Sequence, residues 1–483
     1  MNKKIIYLLS LVMALSLVFA SCKKNSGFDP NNGGGFDPPK EEDNTKDLIS
    51  NNGLTKDDQF SNLPADKPLK KATIFQGDEN NYLRNPVIVV MGADRNIPVV
   101  FAEKRYKSSG ADNDVGIDGK NSVDVVYKVS KNSGQKFEAE TIVSKGATGA
   151  TDSHGAPVVF RVSDTQVVVV ASAGAGIART DETASQKVAS RIDYAVGTLN
   201  GTTFTWNTHW TEVKLSGGSG SDKLLDKVKA ISTGNTGLRF DQMGTQPARG
   251  FVDNNTLILP VVMAQQGKLG DGVKELMGVY LLKGTVSGNT VAWTALEGNN
   301  YDSYSYEAKS DGNFSKYKES QVIAKNGNGY KAIAVPSPWG STRTATFGLT
   351  TIKSKSVADI NTLGHDGAPG YLAFKWYGAT AYKPSEYKTQ TTPDKALFLG
   401  VKDDTANITL YLVNKDTLKV EGKSTGYVLN PVGKSGSIDI LGDGTVVTAA
   451  EEGRMNKGDA SRNYYTSFTR YSQSYLNTIL VGK

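Results

Sequence analysis

Short apolar or alternating runs recur along the chain from position 72 onward, each closed by Gly, Asn or Asp. They occupy residues 87–90, 97–102, 123–129, 158–162, 166–171, 192–196, 256–262, 276–282, 331–335, 345–352, 370–376, 396–401, 408–413, 438–441 and 445–449. Val, Ile, Thr and Tyr dominate them, and their lengths suit strands. Only residues 222–230, DKLLDKVKA, carry a helical period. So many short strands, with turn residues between them, predict an all-β fold. Over about 410 residues, closing sheets into a ring leaves only short, protected edges, so a β-propeller is expected over residues 72–483.

The first segment has a different pattern. Lys3 and Lys4 precede an apolar run over residues 5–20, short for a membrane-spanning helix and suited to a signal peptide. It ends Phe19-Ala20-Ser21-Cys22, which resembles a bacterial lipoprotein cleavage site. Residues 1–21 are then the signal peptide, and Cys22 becomes the lipidated first residue. Acyl chains contribute about 0.8 kcal/mol per buried CH₂, so several would hold the protein on the cell envelope. Residues 22–71, rich in Asn, Gly, Pro, Asp and Lys, read as a disordered tether that cannot bury enough apolar surface to offset ordering.

Charge and composition narrow the chemistry. Lys plus Arg number 55 and Asp plus Glu 49, a net charge of +6 spread along 483 residues with no basic block, so a nucleic-acid partner is not expected. Cys22 is the one cysteine, so an intrachain disulfide and a thiolate metal cage are excluded. His154, His209 and His365 lie far apart without metal-ligand spacing, and a Ser-His-Asp triad is poorly supported. His154, between Ser153 and Gly155, reads as a turn residue. No metal or cofactor is expected, and the chain is expected to be a monomer.

A weak repeat fits the propeller. Ser130-Lys131-Asn132-Ser133-Gly134-Gln135-Lys136-Phe137 follows the run at 123–129 and resembles the Asp-box turn of propeller blades, with Asn for Asp. In such a turn the polar side chain bonds backbone amides, the Gly takes the left-handed dihedral and the aromatic packs beneath. Degenerate echoes stand at Asn200-Gly201-Thr202-Thr203-Phe204 and Gly288-Asn289-Thr290-Val291-Ala292-Trp293.

Five further segments resemble sialidases in order and spacing. Tyr82-Leu83-Arg84-Asn85-Pro86 is similar to the Tyr/Phe-Arg-Ile-Pro motif that opens their catalytic propeller, and Phe101-Ala102-Glu103-Lys104-Arg105 to the Phe-Ala-Glu-x-Arg of their next strand. An acidic loop, Ala111-Asp112-Asn113-Asp114-Val115-Gly116, follows. Lys318-Glu319-Ser320-Gln321-Val322 resembles Asn-Glu-Ser-Gln-Val, and Glu451-Glu452-Gly453 resembles a late Tyr-Glu-x-Gly. The resemblance implies a six-bladed propeller with the site on its axis. The implied activity is exo-α-sialidase, releasing terminal sialic acid from glycoproteins, glycolipids or oligosaccharides.

A sialoside presents a carboxylate, which guanidinium forks match bidentately. The resemblance assigns that contact to Arg84 and Arg343, with Glu451 or Glu452 bracing Arg84 and Arg105 shaping the acidic loop. The substrate's own carboxylate repels a carboxylate nucleophile, so the family uses tyrosine, which titrates near pH 10 and needs a neighbouring base. Tyr427 is the candidate nucleophile, Glu319 its base, and Asp114 or Asp112 the acid that protonates the leaving oxygen. Two positions depart from the pattern. Thr405 stands where a third arginine is expected, and Tyr427 reaches the nucleophile's place only if residues are inserted after it. A second reading therefore runs beside the first: a glycan-binding or adhesive lipoprotein that keeps Arg84, Arg343 and Glu319 but lacks turnover. Tyrosines at 301, 304, 306 and 317, and at 371, 377, 382 and 387 beside Trp376, are candidate sugar-stacking surfaces.

Overall fold

The apolar runs predict strands buried on both faces, and the strands pair accordingly. The computed structural model describes residues 42–43, 56, 63–78, 80–106, 122–148, 152–174, 176, 189–207, 209–216, 222–230, 240–264, 277–296, 316–326, 329–337, 343–347, 358–359, 370–378, 383–389, 392–402, 407–430, 433, 435–452 and 465–482. Strands β1 (Glu42–Asp43) and β2 (Lys70–Gln76) come first. The next four, β3 (Asn81–Met91), β4 (Ile97–Tyr106), β5 (Val123–Val129) and β6 (Thr141–Ile142), form one antiparallel sheet in that order. The following sheet holds β7 (His154–Arg161), β8 (Gln166–Gly174), β9 (Ser190–Asn200) and β10 (Thr203–Trp206), with β11 (Thr211–Glu212) also on β9.

Helix α1 (Leu224–Lys229) lies inside the one segment with a helical period. Next come β12 (Gln242–Gly244), β13 (Ala248–Arg249), β14 (Phe251–Asp253), β15 (Thr256–Ala264), β16 (Met277–Ser287) and β17 (Thr290–Ala295). Of these, β13 pairs in parallel with β7, and the others form their own sheet. Two four-stranded sheets follow. One holds β18 (Lys316–Asn326), β19 (Gly329–Ser337), β20 (Arg343–Phe347) and β21 (Ala358–Asp359). The other holds β22 (Gly370–Phe374), β23 (Lys395–Lys402), β24 (Asn407–Asn414) and β25 (Tyr427–Asn430), with helix α2 (Pro384–Thr389) between its first two strands. The chain ends with β26 (Gly436–Ile440), β27 (Val446–Glu452), β28 (Tyr465–Tyr471) and helix α3 (Gln473–Leu480).

The described strands thus hydrogen-bond into six sheets, arranged as a β-propeller with at least five blades. Strands β3, β7, β18, β22 and β26 lie innermost: β3 touches β26 and β7, and β22 touches β26 and β18. Each expected strand run overlaps an observed strand.

Period-two alternation sends successive side chains of one strand into different cores. Val87, Val89 and Met91 of β3 pack with Val159, Val167 and Val169 of the next sheet. Ile88 and Val90 pack instead with Leu441, Val447, Ala449 and Phe468 of the last sheet. Both faces are buried, so the run Val87-Ile88-Val89-Val90-Met91 is apolar throughout rather than alternating.

Among the strands that lie outside the sequence runs, β2 and β28 close the ring. β2 pairs with β28, Lys70 opposite Arg470 and Ala72 opposite Phe468, so the start of the domain completes the sheet of the end. The ordered part also begins before position 72. Leu63 and Leu69, within the expected tether, are buried against Leu372, Leu399 and Tyr471.

The three expected turns each join the third and fourth strands of a sheet. In the first, Ser130 Oγ donates to Asn132 Oδ1 at 2.9 Å and accepts from Gly134 N–H at 3.1 Å. Asn132 Oδ1 also accepts from Lys136 N–H at 3.2 Å, Gly134 has φ 91°, and Phe137 meets Phe468 edge-on at 5.0 Å. In the second and third, a tryptophan lies across a glycine on the neighbouring strand: Trp206 over Gly197, Trp293 over Gly284. A Cβ at Gly197 falls 2.5 Å from the Trp206 ring and one at Gly284 falls 2.6 Å from Trp293. Gly197→Ala and Gly284→Ala should each cost about 1–3 kcal/mol by overpacking, read as a lower urea midpoint. An unchanged midpoint would show that the rings move aside freely.

Candidate functional site

The heads of the inner strands gather polar side chains at one end of the propeller. β3 opens Asn81-Tyr82-Leu83-Arg84, with Arg84 opposite Glu103 and Tyr82 opposite Arg105 on β4. The register then slips between Arg84 and Val87. Pro86 has no N–H to give the ladder, and Asn85 sits at φ 55°, a conformation Asn tolerates better than most residues. The bulge frees the Asn85 N–H to donate to Glu451 Oε1 at 2.8 Å. Arg84 Nε donates to the same oxygen at 2.6 Å. The Glu451 side chain is fully buried and that of Arg84 is 11% exposed.

The device repeats one sheet on. β7 opens His154-Gly155-Ala156-Pro157, its register slips between Gly155 and Val158, and Ala156 sits at φ 51°. The Ala156 N–H donates to Glu103 Oε1. Glu103 is fully buried and also accepts from Arg105, from Nε at 2.7 Å, with Nη2 2.5 Å away. A third version uses a hydroxyl: Ser172 Oγ of β8 accepts from the Thr245 N–H at 2.7 Å, just before Gln246-Pro247. In each case a polar side chain at the end of one sheet's second strand holds the backbone ahead of a proline in the next sheet. The recurrence of Asn85-Pro86, Ala156-Pro157 and Gln246-Pro247 was the sequence signal for Glu103, which sequence reasoning did not assign a role.

Asn85 links the first two versions, because its side chain also hydrogen-bonds Glu103. Burial alone would raise the Glu103 carboxyl, but the Arg105 charge and the bonds from Asn85 and Ala156 outweigh it and hold the group below the usual carboxylate range. Burial likewise opposes the Arg105 charge, the nearby Glu103 outweighs it, and Arg84 is close enough to work against it. Two guanidiniums thus stand side by side, each backed by a buried carboxylate.

A third cluster lies at the head of β7 and β9. His154 Nε2 is 2.9 Å from Asp193 Oδ2, and Arg191 grips Asp193 from Nε at 2.7 Å and Nη2 at 2.8 Å. The His154 ring stacks on Trp210 at 4.2 Å with an 8° interplanar angle. His154 is therefore a buried strand residue and not a turn residue. Burial would raise Asp193, but the His154 and Arg191 bonds lower it.

These lowered carboxylates set a pH dependence. A folded-state pKa below the unfolded one contributes stability that is present above the unfolded value and lost as pH falls through the folded one. The chain should hold its stability from neutral pH down to about 4.5, the ordinary glutamate value, and lose it below. Melting temperature against pH should fall less steeply there in Glu103→Gln, and an identical slope would contradict the assignment.

The other sequence candidates fall as follows. Asp112, Asp114, Thr405 and Cys22 lie outside the described residues. The strands flanking the acidic loop end at the Arg105 end of their sheet, where Tyr106 N–H donates to Ser122 O at 3.2 Å. Glu319 lies near the head of β18, an inner strand, just after a register slip. Arg343 heads β20, two strands outward, opposite Ala334 and Asp359, about 10 Å from the inner strand by sheet spacing. For both, the backbone path alone is described. Glu452 points elsewhere, to Ser467 and Lys71.

Tyr427 is not at the axis. It lies on β25, the outermost strand of its sheet, about 14 Å out from β22 by strand spacing. Its ring packs on the apolar cluster with Leu410 and Leu412, and its hydroxyl is 3.3 Å from that of Tyr475. The candidate nucleophile is thereby removed. Tyr371 and Tyr387 are buried, so they do not form an open sugar-stacking surface. Among the described residues, three or more His, Cys, Asp or Glu side chains nowhere gather as a metal site.

Solved structures share this architecture. Trypanosoma rangeli sialidase in complex with sialic acid superposes with a TM-score of 0.50 at 12% identity, covering 82% of this chain and 55% of that one. The fold is sialidase-like. The sialidase with the inhibitor DANA gives 0.51 at 13% identity over 82% of this chain and 56% of that one. A protein of unknown function from Dyadobacter fermentans gives 0.51 at 10% identity, covering 85% of this chain and all of that one. The chain thus spans about half the length of the sialidases it matches. No family model and no curated protein sequence matches it.

Proposed function

We propose that this chain is a binding protein for acidic sugars built on a sialidase-like, six-bladed propeller, with terminal sialic acid on glycoproteins, glycolipids or oligosaccharides as its ligand class. In this reading Cys22 carries the lipid that holds it on the bacterial cell envelope, residues after it form the tether, and the 130–137 turn is an Asp-box. The observation that carries the proposal is the Arg84–Glu451 pair with Arg105–Glu103 beside it. A guanidinium whose Nε is already fixed by a buried carboxylate is pre-oriented and loses little freedom when it binds a planar anion. The position of Tyr427 is what favours binding over hydrolysis, because a tyrosyl route needs that hydroxyl beside the sugar.

The test pairs calorimetry with turnover on the full chain. 3′-Sialyllactose should bind and lactose should not, and Arg84→Ala should weaken the sialoside at least about tenfold, since a charged hydrogen bond is worth about 1.5–3 kcal/mol. A fluorogenic sialoside should stay intact across pH 4–8. Equal binding of sialyllactose and lactose would end the proposal, and Arg84-dependent turnover would restore the hydrolase reading.

A further inference from the structure

A second basic cluster stands at the other end of the inner strands. Arg95 lies in the hairpin after β3, Arg161 ends β7, and Arg249 is on β13. All three surround Asp439 of β26. Asp439 Oδ1 accepts from Arg95 Nη2 at 3.3 Å, from Arg249 Nη1, and from Ile440 N–H at 2.8 Å. Its Oδ2 accepts from Val90 N–H at 2.8 Å. One carboxylate, already holding backbone amides, is therefore shared by two guanidiniums.

Arg161 adds a third. Its Nη2 donates at 2.6 Å to Asp164, a hairpin carboxylate 55% exposed. The two hairpins are joined by the backbone, Gly92 N–H donating to Asp164 O at 2.7 Å, and burial together with the nearby Arg95 charge lowers the Arg161 pKa. Neighbouring charges do not cancel the surplus: Asp94 pairs with Lys388, and Asp443 pairs with Arg470. Three guanidiniums thus meet two carboxylates, Asp439 and Asp164. The Nε–H groups of Arg95 and Arg161 are both buried and lack an acceptor among the described residues, a cost that folded proteins seldom leave unanswered. The arginine side chains are still 37%, 25% and 23% exposed, so the cluster opens to solvent.

We infer that Arg95, Arg161 and Arg249 form an oxyanion site that takes one inorganic phosphate or sulfate. A tetrahedral dianion offers acceptors in several directions at once, which converging forks require and one planar carboxylate cannot supply. The site is distinct from the Arg84 end. Met91 stands seven positions after Arg84, which places the two ends roughly 20 Å apart along β3.

Isothermal titration of the full chain with inorganic phosphate and with sulfate, at ionic strength fixed with chloride, tests it. The titrations use the Arg84→Ala background, so that the other cationic end does not contribute. One equivalent should bind saturably. Arg161→Gln and Arg95→Gln should each weaken it at least about tenfold, with folding confirmed by circular dichroism. Asp439→Asn should tighten it, because the competing charge is gone, and loss of structure cannot produce that sign. If Asp439→Asn does not fold, the two arginine variants decide. Absence of saturable binding by either anion, or unchanged affinity in both arginine variants, overturns the inference.

Discussion

Arg470→Met should destabilise the chain by about 3–5 kcal/mol, the usual cost of breaking a buried ion pair from one side. Both Arg470 and Asp443 have fully buried side chains, and Nη2 donates to Asp443 Oδ2 at 2.5 Å. Arg470 Nε also donates to Thr445 Oγ1 at 2.9 Å. The pair lies in the sheet that β2 completes, with Lys70 opposite Arg470. Losing it takes the cation away from a buried carboxylate in the joint that closes the ring. A urea titration gives the value, and the double variant Arg470→Met/Asp443→Leu should recover part of it, since no charge is then stranded. A single variant as stable as the parent would mean that the closure does not depend on this pair.

Glu451→Ala carries the second large effect, about 3 kcal/mol in stability together with loss of sialoside affinity. The substitution strips the acceptor from both Arg84 Nε and the Asn85 N–H, contacts that span 367 and 366 positions of sequence. Glu451→Gln keeps an acceptor for Asn85 and should recover much of the stability. A Glu451→Ala protein with unchanged melting and unchanged sialoside affinity would refute the bracing role.

Strands such as β3, β4 and β8 were legible because both of their faces are buried. A continuous run such as residues 87–91 cannot be mistaken for a solvated loop. β28, Tyr465-Thr466-Ser467-Phe468-Thr469-Arg470-Tyr471, was hidden for the opposite reason. Its Thr, Ser and Arg side chains are buried as well, but they read as polar surface. Helix α3 was equally hidden: Ser472 caps it, accepting from Tyr475 N–H at 3.0 Å, but its apolar residues are too few to show a period in so short a segment.

The site was half legible. Arg84 and Glu451 came from motif resemblance, and the structure joins them. Glu103 and Asp193 were passed over because a lone acid inside a strand gives no sign that it is buried and paired. Tyr427 failed because sequence distance to Glu451 says nothing of which strand of a blade a residue occupies. It follows Gly426, whose φ of 63° turns the chain into an outer strand, and packs there as an ordinary core aromatic.

A crystal structure of the full chain soaked with 3′-sialyllactose tests the sialic-acid assignment most directly. The expected density shows the sugar carboxylate within hydrogen-bonding distance of the Arg84 guanidinium, Glu451 still on Arg84 Nε, and the glycosidic bond intact. Density for the sialoside away from Arg84, or a cleaved sugar at that end of the propeller, would contradict it.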